Sequence, residues 1–366
     1  MDQYQQVVRV DSERRIAMVV NILAYASMRR ATVWLCVLML LAGSQTFGEA
    51  ISAEDIADIH ESRLVQLSPI SLVYSAQKNV DAEASVGELR RQLEGRLLGL
   101  RRIQSEELAK TEPLIREQLE AQAGSRIART KKQLEEVDRH RDTIAFFDDF
   151  DGEITLMYNH NDNDLKLVLV DNREVDRLFP LDDQEGSDLL SHLVANHQPS
   201  EHKLYHDEKL HKYHQKYNTI MLSPAPENGV REELFSLTGI LDGPSIMNLD
   251  PEIVLANDML RIVLKNGPER VTYVIDPALD YSVVSYERKV DDCVYYETLY
   301  ENYINLDGVY IPSEIRTTRY DCESTQQFVS SEKYRLLEIM TENRISPEDV
   351  VMLPTNEKTV VHETGF

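Results

Sequence analysis

The sequence predicts an α+β protein built mainly of antiparallel strands, with one long helical segment set among them. Three features of the 366 residues carry this expectation. Short apolar runs punctuated by Gly, Pro, Asn and Asp recur over residues 150–170 and 259–320. Leucines recur at three- and four-residue spacing between residues 85 and 138, a helical period. Asp307-Gly308 divides two strand-like runs, and that dipeptide favours a two-residue type I′ turn.

The first 50 residues stand apart. Arg29 and Arg30 precede the apolar run Ala31–Ala42, and Gly48-Glu49-Ala50 places small residues where a signal peptidase reads. Residues 28–50 are expected to be a cleaved signal peptide, preceded by a leading segment, 1–27, of doubtful origin with translation starting at Met28; a membrane-anchored helical pair is the alternative. The apolar run is shorter than the roughly 20 residues a spanning helix needs. Gly43 is followed by Ser44, so the cysteine of a lipid-anchored leader is missing. Residues 51–366 are expected to be one periplasmic or secreted domain.

The balance of 63 acidic against 39 basic residues gives a formal charge of -24. Binding nucleic acid means neutralising phosphates with Lys and Arg, so this composition excludes that class. Of three cysteines, Cys36 lies in the leader and Cys293 and Cys322 remain. Two cysteines in an oxidising compartment predict one bridge.

Ser52 caps a short helix with acids in its first turn, ending near Arg63. Leu67–Ala76 reads as a strand. Ser85-Val86-Gly87-Glu88 is a capping box. Leu89, Leu93, Leu97 and Leu100, then Leu114, Ile115, Leu119 and Ala123, predict two amphipathic helices, 85–112 and 114–138, folded back on each other; a strand is the alternative after Gly124. Phe150-Asp151-Gly152-Glu153 reads as a tight turn, and Ile154–Tyr158 with Leu165–Val170 as a hairpin. Residues 182–233 hold a helix, Ser187–His197, and a long polar stretch. Met259–Leu264, Arg270–Ile275 and Tyr281–Tyr286 form a meander, and Phe328–Ile339 a last long strand.

With Asp307-Gly308 at the tip, paired positions follow by counting outward. Ile304 faces Ile311, Tyr300 faces Ile315, Thr298 faces Thr317 and Cys293 faces Cys322, on a rung where a disulfide fits. Glu301 then faces Glu314, an unfavourable pair, and Pro312 threatens a bulge.

Six of ten histidines lie between His192 and His214. On a helix His202, His206, His211 and His214 would fall partly on one face and, with Asp207 and Glu208, could hold zinc. No H-E-x-x-H pattern supports this, and the plainer reading is a solvated connector. Asn161, Asp162 and Asp164 match a calcium loop in composition only. No G-x-S-x-G, G-x-G-x-x-G or P-loop is present, so no catalytic residue and no cofactor is assigned. Tyr295, Tyr296, Tyr300, Tyr303 and Tyr310 cluster on the hairpin, where they cover a sheet or line a groove. Tyr296, Tyr300, Ile304, Ile311 and Ile315 are the ligand-cavity candidates.

Tyr273–Pro277, Tyr281–Glu287, Gly308–Ile315, and the ending Ile345-Ser346-Pro347 with Leu353-Pro354 resemble the LolA-like superfamily of periplasmic lipoprotein carriers and RseB-type sensors. The resemblance implies a strongly curved antiparallel sheet, a half-open barrel, with helices on its concave face and acyl chains held between them. The long segment 85–138 departs from that pattern, and no ligand residue is marked by a motif. The expected function is non-enzymatic: a monomeric extracytoplasmic protein binding an apolar or lipidated ligand, lipoproteins included. One alternative is an interaction or sensor module meeting a partner protein through helices 85–138. Another is a metal-dependent hydrolase centred on the 192–214 histidines.

Overall fold

Among the described residues, fourteen strands form one open sheet in the order β14-β6-β5-β4-β3-β2-β1-β13-β12-β11-β10-β9-β8-β7. The computed structural model describes residues 51–107, 113–179, 187–226, 228–241, 251–322, 326–341, 347–356 and 358–363. The leader and leading segment expected over residues 1–50 lie outside them. In chain order the elements begin with α1 (Ala53–Leu67), β1 (Ile70–Val80), α2 (Ala82–Arg102), α3 (Pro113–Glu136), α4 (Arg141–Asp148), β2 (Phe150–Asn159) and β3 (Asp164–Asp171). There follow α5 (Val175–Leu178), α6 (Asp188–Asn196), β4 (Ser200–His206), β5 (Lys209–His214), β6 (Thr219–Pro224) and α7 (Gly229–Thr238). The chain continues with β7 (Glu252–Ala256), β8 (Met259–Asn266), β9 (Glu269–Asp276), β10 (Ser282–Val290), β11 (Cys293–Leu306), β12 (Val309–Asp321) and β13 (Gln327–Met340). It ends with α8 (Pro347–Val351) and β14 (Val360–Glu363).

The pairings are antiparallel except β14 on β6, which is parallel. β1 is the seam: it joins β2 on one side and the late strand β13 on the other, so early and late chain meet in mid-sheet. On β1 the concave face takes Ile70, Leu72, Tyr74 and Ala76, all buried. Their rung partners Tyr158, Leu156 and Ile154 on β2 continue that apolar surface, the period-2 burial of a sheet with one face on the core.

The sheet curls around α7. Glu233 of α7 meets Lys203 of β4, 3.6 Å away, while Phe235, two residues on, packs on Tyr273 of β9 with ring centroids 5.6 Å apart. A flat sheet would hold β4 and β9 about 38 Å apart, eight inter-strand spacings. One turn of helix reaches both strands only if the sheet bends into a trough. The expected α+β fold, a curved and half-open antiparallel sheet with helices, is therefore present.

α1 and α7 are locked to each other and to the trough. Arg231 of α7 pairs with Glu61 of α1 at 2.8 Å. Arg63 of α1, its side chain almost fully buried, pairs with Asp280 at 3.1 Å in the turn between β9 and β10. His60 is fully buried and its Nδ1 accepts a hydrogen bond from the Leu241 N–H. α8 lies on the opposite face, where Leu353 beyond it packs on Tyr213, Ile220 and Leu222.

Two long helices occupy the segment read as amphipathic, with a π-helical turn at Ile103–Glu107. α3 runs on through Gly124 to Glu136, so the alternative strand does not form there. Asp81 caps α2 by accepting from the Ala84 N–H, ahead of the expected box. Val86 and Leu93 of α2 pack with Val137, Ile144 and Leu189, giving these helices a core of their own.

Two other expectations are corrected. Phe150-Asp151-Gly152-Glu153 is not a turn; it lies within β2, paired with Glu153↔Ser75, Gly152↔Ala76 and Asp151↔Gln77. The Val170 carbonyl oxygen stands where a Cβ on Gly152 would have to go, so the glycine serves close strand approach. The polar stretch after His197 is not a connector. It is the hairpin β4–β5 and the strand β6.

The hairpin β11–β12 keeps the register counted from its turn. Ile304 pairs with Ile311, Tyr300 with Ile315 and Thr298 with Thr317, with no shift at Pro312. Asp307 (φ 50°) and Gly308 (φ 99°) take the positive dihedrals of a type I′ turn. Glu301 does oppose Glu314; Arg316 bridges them at 2.9 and 3.9 Å. Beyond the last ladder pair, Cys293 and Cys322 form the disulfide, Cα atoms 5.9 Å apart.

Candidate functional site

Period-2 alternation puts Tyr296, Thr298 and Tyr300 of β11 on the concave face. The ladder carries that face outward: Thr298 pairs with Tyr286 of β10, which pairs with Tyr273 of β9. Arg288 pairs with Tyr296 on the same face. A tyrosine wall thus runs across three strands. α7 lies against it, ended by Gly239 in the left-handed conformation (φ 68°) that a helix stop requires.

Phe235 is the contact between helix and wall. Its ring meets Tyr273, Tyr286 and Tyr300 edge-on at centroid distances of 5.6, 5.3 and 5.8 Å. Tyr300 donates its hydroxyl to the Phe235 carbonyl at 3.1 Å. Tyr74, from β1, donates to the Leu237 carbonyl at 2.7 Å. The tyrosines therefore fix the helix through its backbone, whatever its side chains do.

Between α7 and the wall lies a cavity of about 470 Å³, lined by Arg231, Glu232, Phe235, Leu241, Glu269, Tyr273, Tyr286, Arg288, Tyr295, Tyr296, Thr298 and Tyr300, with Asn228 and Ser236. That size suits a small molecule or part of an acyl chain. Arg288 pairs with Glu269 at 2.7 Å, and Arg231 is held by Glu61 at 2.8 Å. Burial pushes the Tyr286 phenol up to about 12 and raises Tyr296 and Tyr300 as well. These hydroxyls stay protonated, and that of Tyr300 donates to the Phe235 carbonyl.

Of the five expected cavity residues, Tyr296 and Tyr300 line this space. Ile311 and Ile315 do not: both are fully buried in the sheet's packing. Ile304 lies near the hairpin tip, 40% exposed. The remaining contributors, Phe235, Tyr273, Tyr286, Arg231, Glu269 and Arg288, carry no motif that marks them in the sequence. Counting rungs from the neighbouring turns misses Tyr273 and Tyr286, because a register shift at Arg288/Lys289 sets Tyr286 opposite Thr298 and another at Val283/Ser285 sets Tyr273 opposite Tyr286.

A second cavity of about 340 Å³ lies at the other end of the trough, lined by Ala76, Ile154, Leu169, Tyr334, Phe147, Asp148, Asp171, Arg173 and His197 among others. Arg173 grips Asp171 at 2.6 Å and stacks over Phe146, 4.7 Å from the ring centroid. Burial raises the Asp148 carboxyl.

The histidine set does not gather as a helix would gather it. His202, His206 and His211 share the convex face of β4–β5, and His214 pairs with Glu201 on the concave one. His206 is bonded to Asp164 at 2.8 Å, which raises its pKa. Burial lowers His202 and His211. Among the described residues no group of three or more His, Cys, Asp and Glu is placed to hold a metal. The Asn161–Asp164 segment is a hairpin tip, with Asn159 donating to Asp162 at 2.9 Å.

No protein-family model matches the chain, and no curated protein matches it. Solved structures are similar in fold at low identity. One is a LolA superfamily protein from Nitrosomonas europaea: 7% identity, TM-score 0.39, covering 83% of this chain and 99% of that one. Another is an uncharacterized conserved protein from Thermus thermophilus: 8% identity, TM-score 0.31, covering 86% and 100%. A third is a DUF1329 family protein from Desulfovibrio piger: 8% identity, TM-score 0.36, covering 81% and 96%.

Proposed function

We propose that the protein is an extracytoplasmic binding protein that holds an apolar or lipidated ligand between its curved sheet and α7. The observation that carries this reading is the cavity of about 470 Å³ walled by Phe235 and five tyrosines. Such a wall offers large apolar area with hydroxyls at its edges, which favours ligands with an apolar body and a polar end. The disulfide Cys293–Cys322 and the leader-like residues 28–50 support an oxidising compartment.

The test is extraction of purified protein with organic solvent followed by lipid mass spectrometry, together with titration of a fluorescent fatty-acyl probe. Co-purifying lipid, and probe binding weakened by Phe235→Asp, are the expected results. Protein that carries nothing and fails to bind the probe would overturn the proposal.

A second reading has its own observation. Leu98 of α2 is 65% exposed and Leu119 of α3 is 39% exposed, with Ile103 between them also exposed. These apolar side chains support a partner-binding face on the helical pair. Replacing Leu98 and Leu119 with Glu would abolish a specific pull-down while leaving probe binding intact.

A further inference from the structure

We propose that the cavity under α7 selects amphiphiles with a cationic head, quaternary ammonium above all, over anionic or neutral ones. This rests on the binding reading above and narrows it to a ligand class.

The wall is the first ground. Phe235, Tyr273, Tyr286 and Tyr296 form an unbroken chain of rings, neighbours 5.3–5.8 Å apart between centroids. Aromatic faces carry negative quadrupole potential and attract weakly hydrated cations. The phenols are buried enough to stay neutral, so the wall offers faces rather than formal charges. That favours a bulky ammonium over a small, strongly hydrated ion.

The second ground is that the wall already holds cations. The Arg288 and Arg319 guanidinium carbons stand 5.9 and 5.3 Å from the Tyr295 ring centroid. The third is the charge balance of the lining. Arg288 is answered by Glu269 and Arg231 by Glu61. Glu232 lines the mouth and enters no ion pair among the described residues. An entering anion would meet two lining arginines that already hold carboxylates, the carboxylate of Glu232, and a chain of net charge -24; Arg319 stands outside the lining, its guanidinium donating to the Tyr295 hydroxyl at 2.7 Å. An entering cation meets the reverse.

The test is isothermal titration of the full chain with three twelve-carbon probes, each below its micelle-forming concentration: dodecyltrimethylammonium, dodecyl sulfate and dodecyl maltoside. Near-ultraviolet circular dichroism confirms that the protein stays folded. The cationic probe is expected to bind at least roughly tenfold more tightly than the others, the scale of one ring-plus-carboxylate contact. Glu232→Gln, at an exposed position, should weaken only the cationic probe, by several-fold. Tyr286→Leu should do the same, and Tyr286→Phe should largely restore it. Equal binding of all three probes, or preference for the sulfate, would overturn the head-group selectivity and leave the carrier reading standing. Failure of all three to bind would overturn both.

Discussion

Tyr74 and Tyr300, on strands three steps apart in the sheet, donate to carbonyls two residues apart in the same turn of α7. Tyr74 reaches the Leu237 oxygen at 2.7 Å and Tyr300 the Phe235 oxygen at 3.1 Å. The roof of the cavity is therefore pinned from both sides of β13 and β12. Tyr74→Phe leaves a buried carbonyl without its donor, a loss of about 1–3 kcal/mol. Tyr300→Phe should cost less, because Phe235 still packs on the ring. In the double variant the losses should not add, since both bonds fix one helix. Urea unfolding of the four proteins measures this; strict additivity would show that the two bonds act independently.

The disulfide joins residues 29 apart, beyond the last rung of β11–β12. Removing it by Cys293→Ser with Cys322→Ser frees the unfolded chain and should lower stability by about 3–4 kcal/mol. The hairpin's register is set by its own turn and survives. The double variant should therefore keep its sheet signature in circular dichroism while its midpoint of unfolding falls.

Gly152 has a different kind of constraint. What excludes a side chain there is not a left-handed backbone but the Val170 carbonyl oxygen, which occupies the place of a Cβ. Ala at this position must push β2 and β3 apart in mid-sheet. Gly152→Ala is expected to destabilise by more than the roughly 1 kcal/mol a glycine-to-alanine change usually gains or loses. A neutral or stabilising outcome in thermal unfolding would show that the strands can separate freely.

What the sequence disclosed, and what it hid, follows from turn chemistry. Asp307-Gly308 announces a type I′ turn, and from it the pairing of Cys293 with Cys322 follows by counting. The β4–β5 hairpin uses the same backbone geometry without a glycine: Asp207 (φ 49°) and Glu208 (φ 60°) take both positive positions. Asn257-Asp258 and Asp291-Asp292 do likewise. Glu in the left-handed region is not a recognisable turn signal, so the histidines around it resemble a helical or solvated segment. The same cause hides half the cavity. Phe235 lies in a stretch with no strand signal, and the close pairing of β9 with β10 that aligns Tyr273 with Tyr286 includes a register shift near Ser285 that sequence counting does not anticipate.

The buried end of α1 makes the protein acid-sensitive in a definite direction. His60 is fully enclosed, beside Arg63, and its Nδ1 accepts from the Leu241 N–H. Burial first, and the Arg63 charge second, lower its pKa from 6.5 to about 3. A folded-state pKa below the unfolded one means that the unfolded chain takes up the proton first. The stabilisation is whole above pH 6.5 and declines as pH falls towards 3. At the acid end the loss from this one group is on the order of 5 kcal/mol. Protonation would also cancel the acceptor that holds Leu241 at the end of α7, so the cavity roof should loosen in the same window. His60→Asn, which keeps an acceptor and does not titrate, should flatten the dependence between about pH 6.5 and 4. Denaturant midpoints across that range check it; parallel curves for the two proteins would show that His60 is not the group responsible.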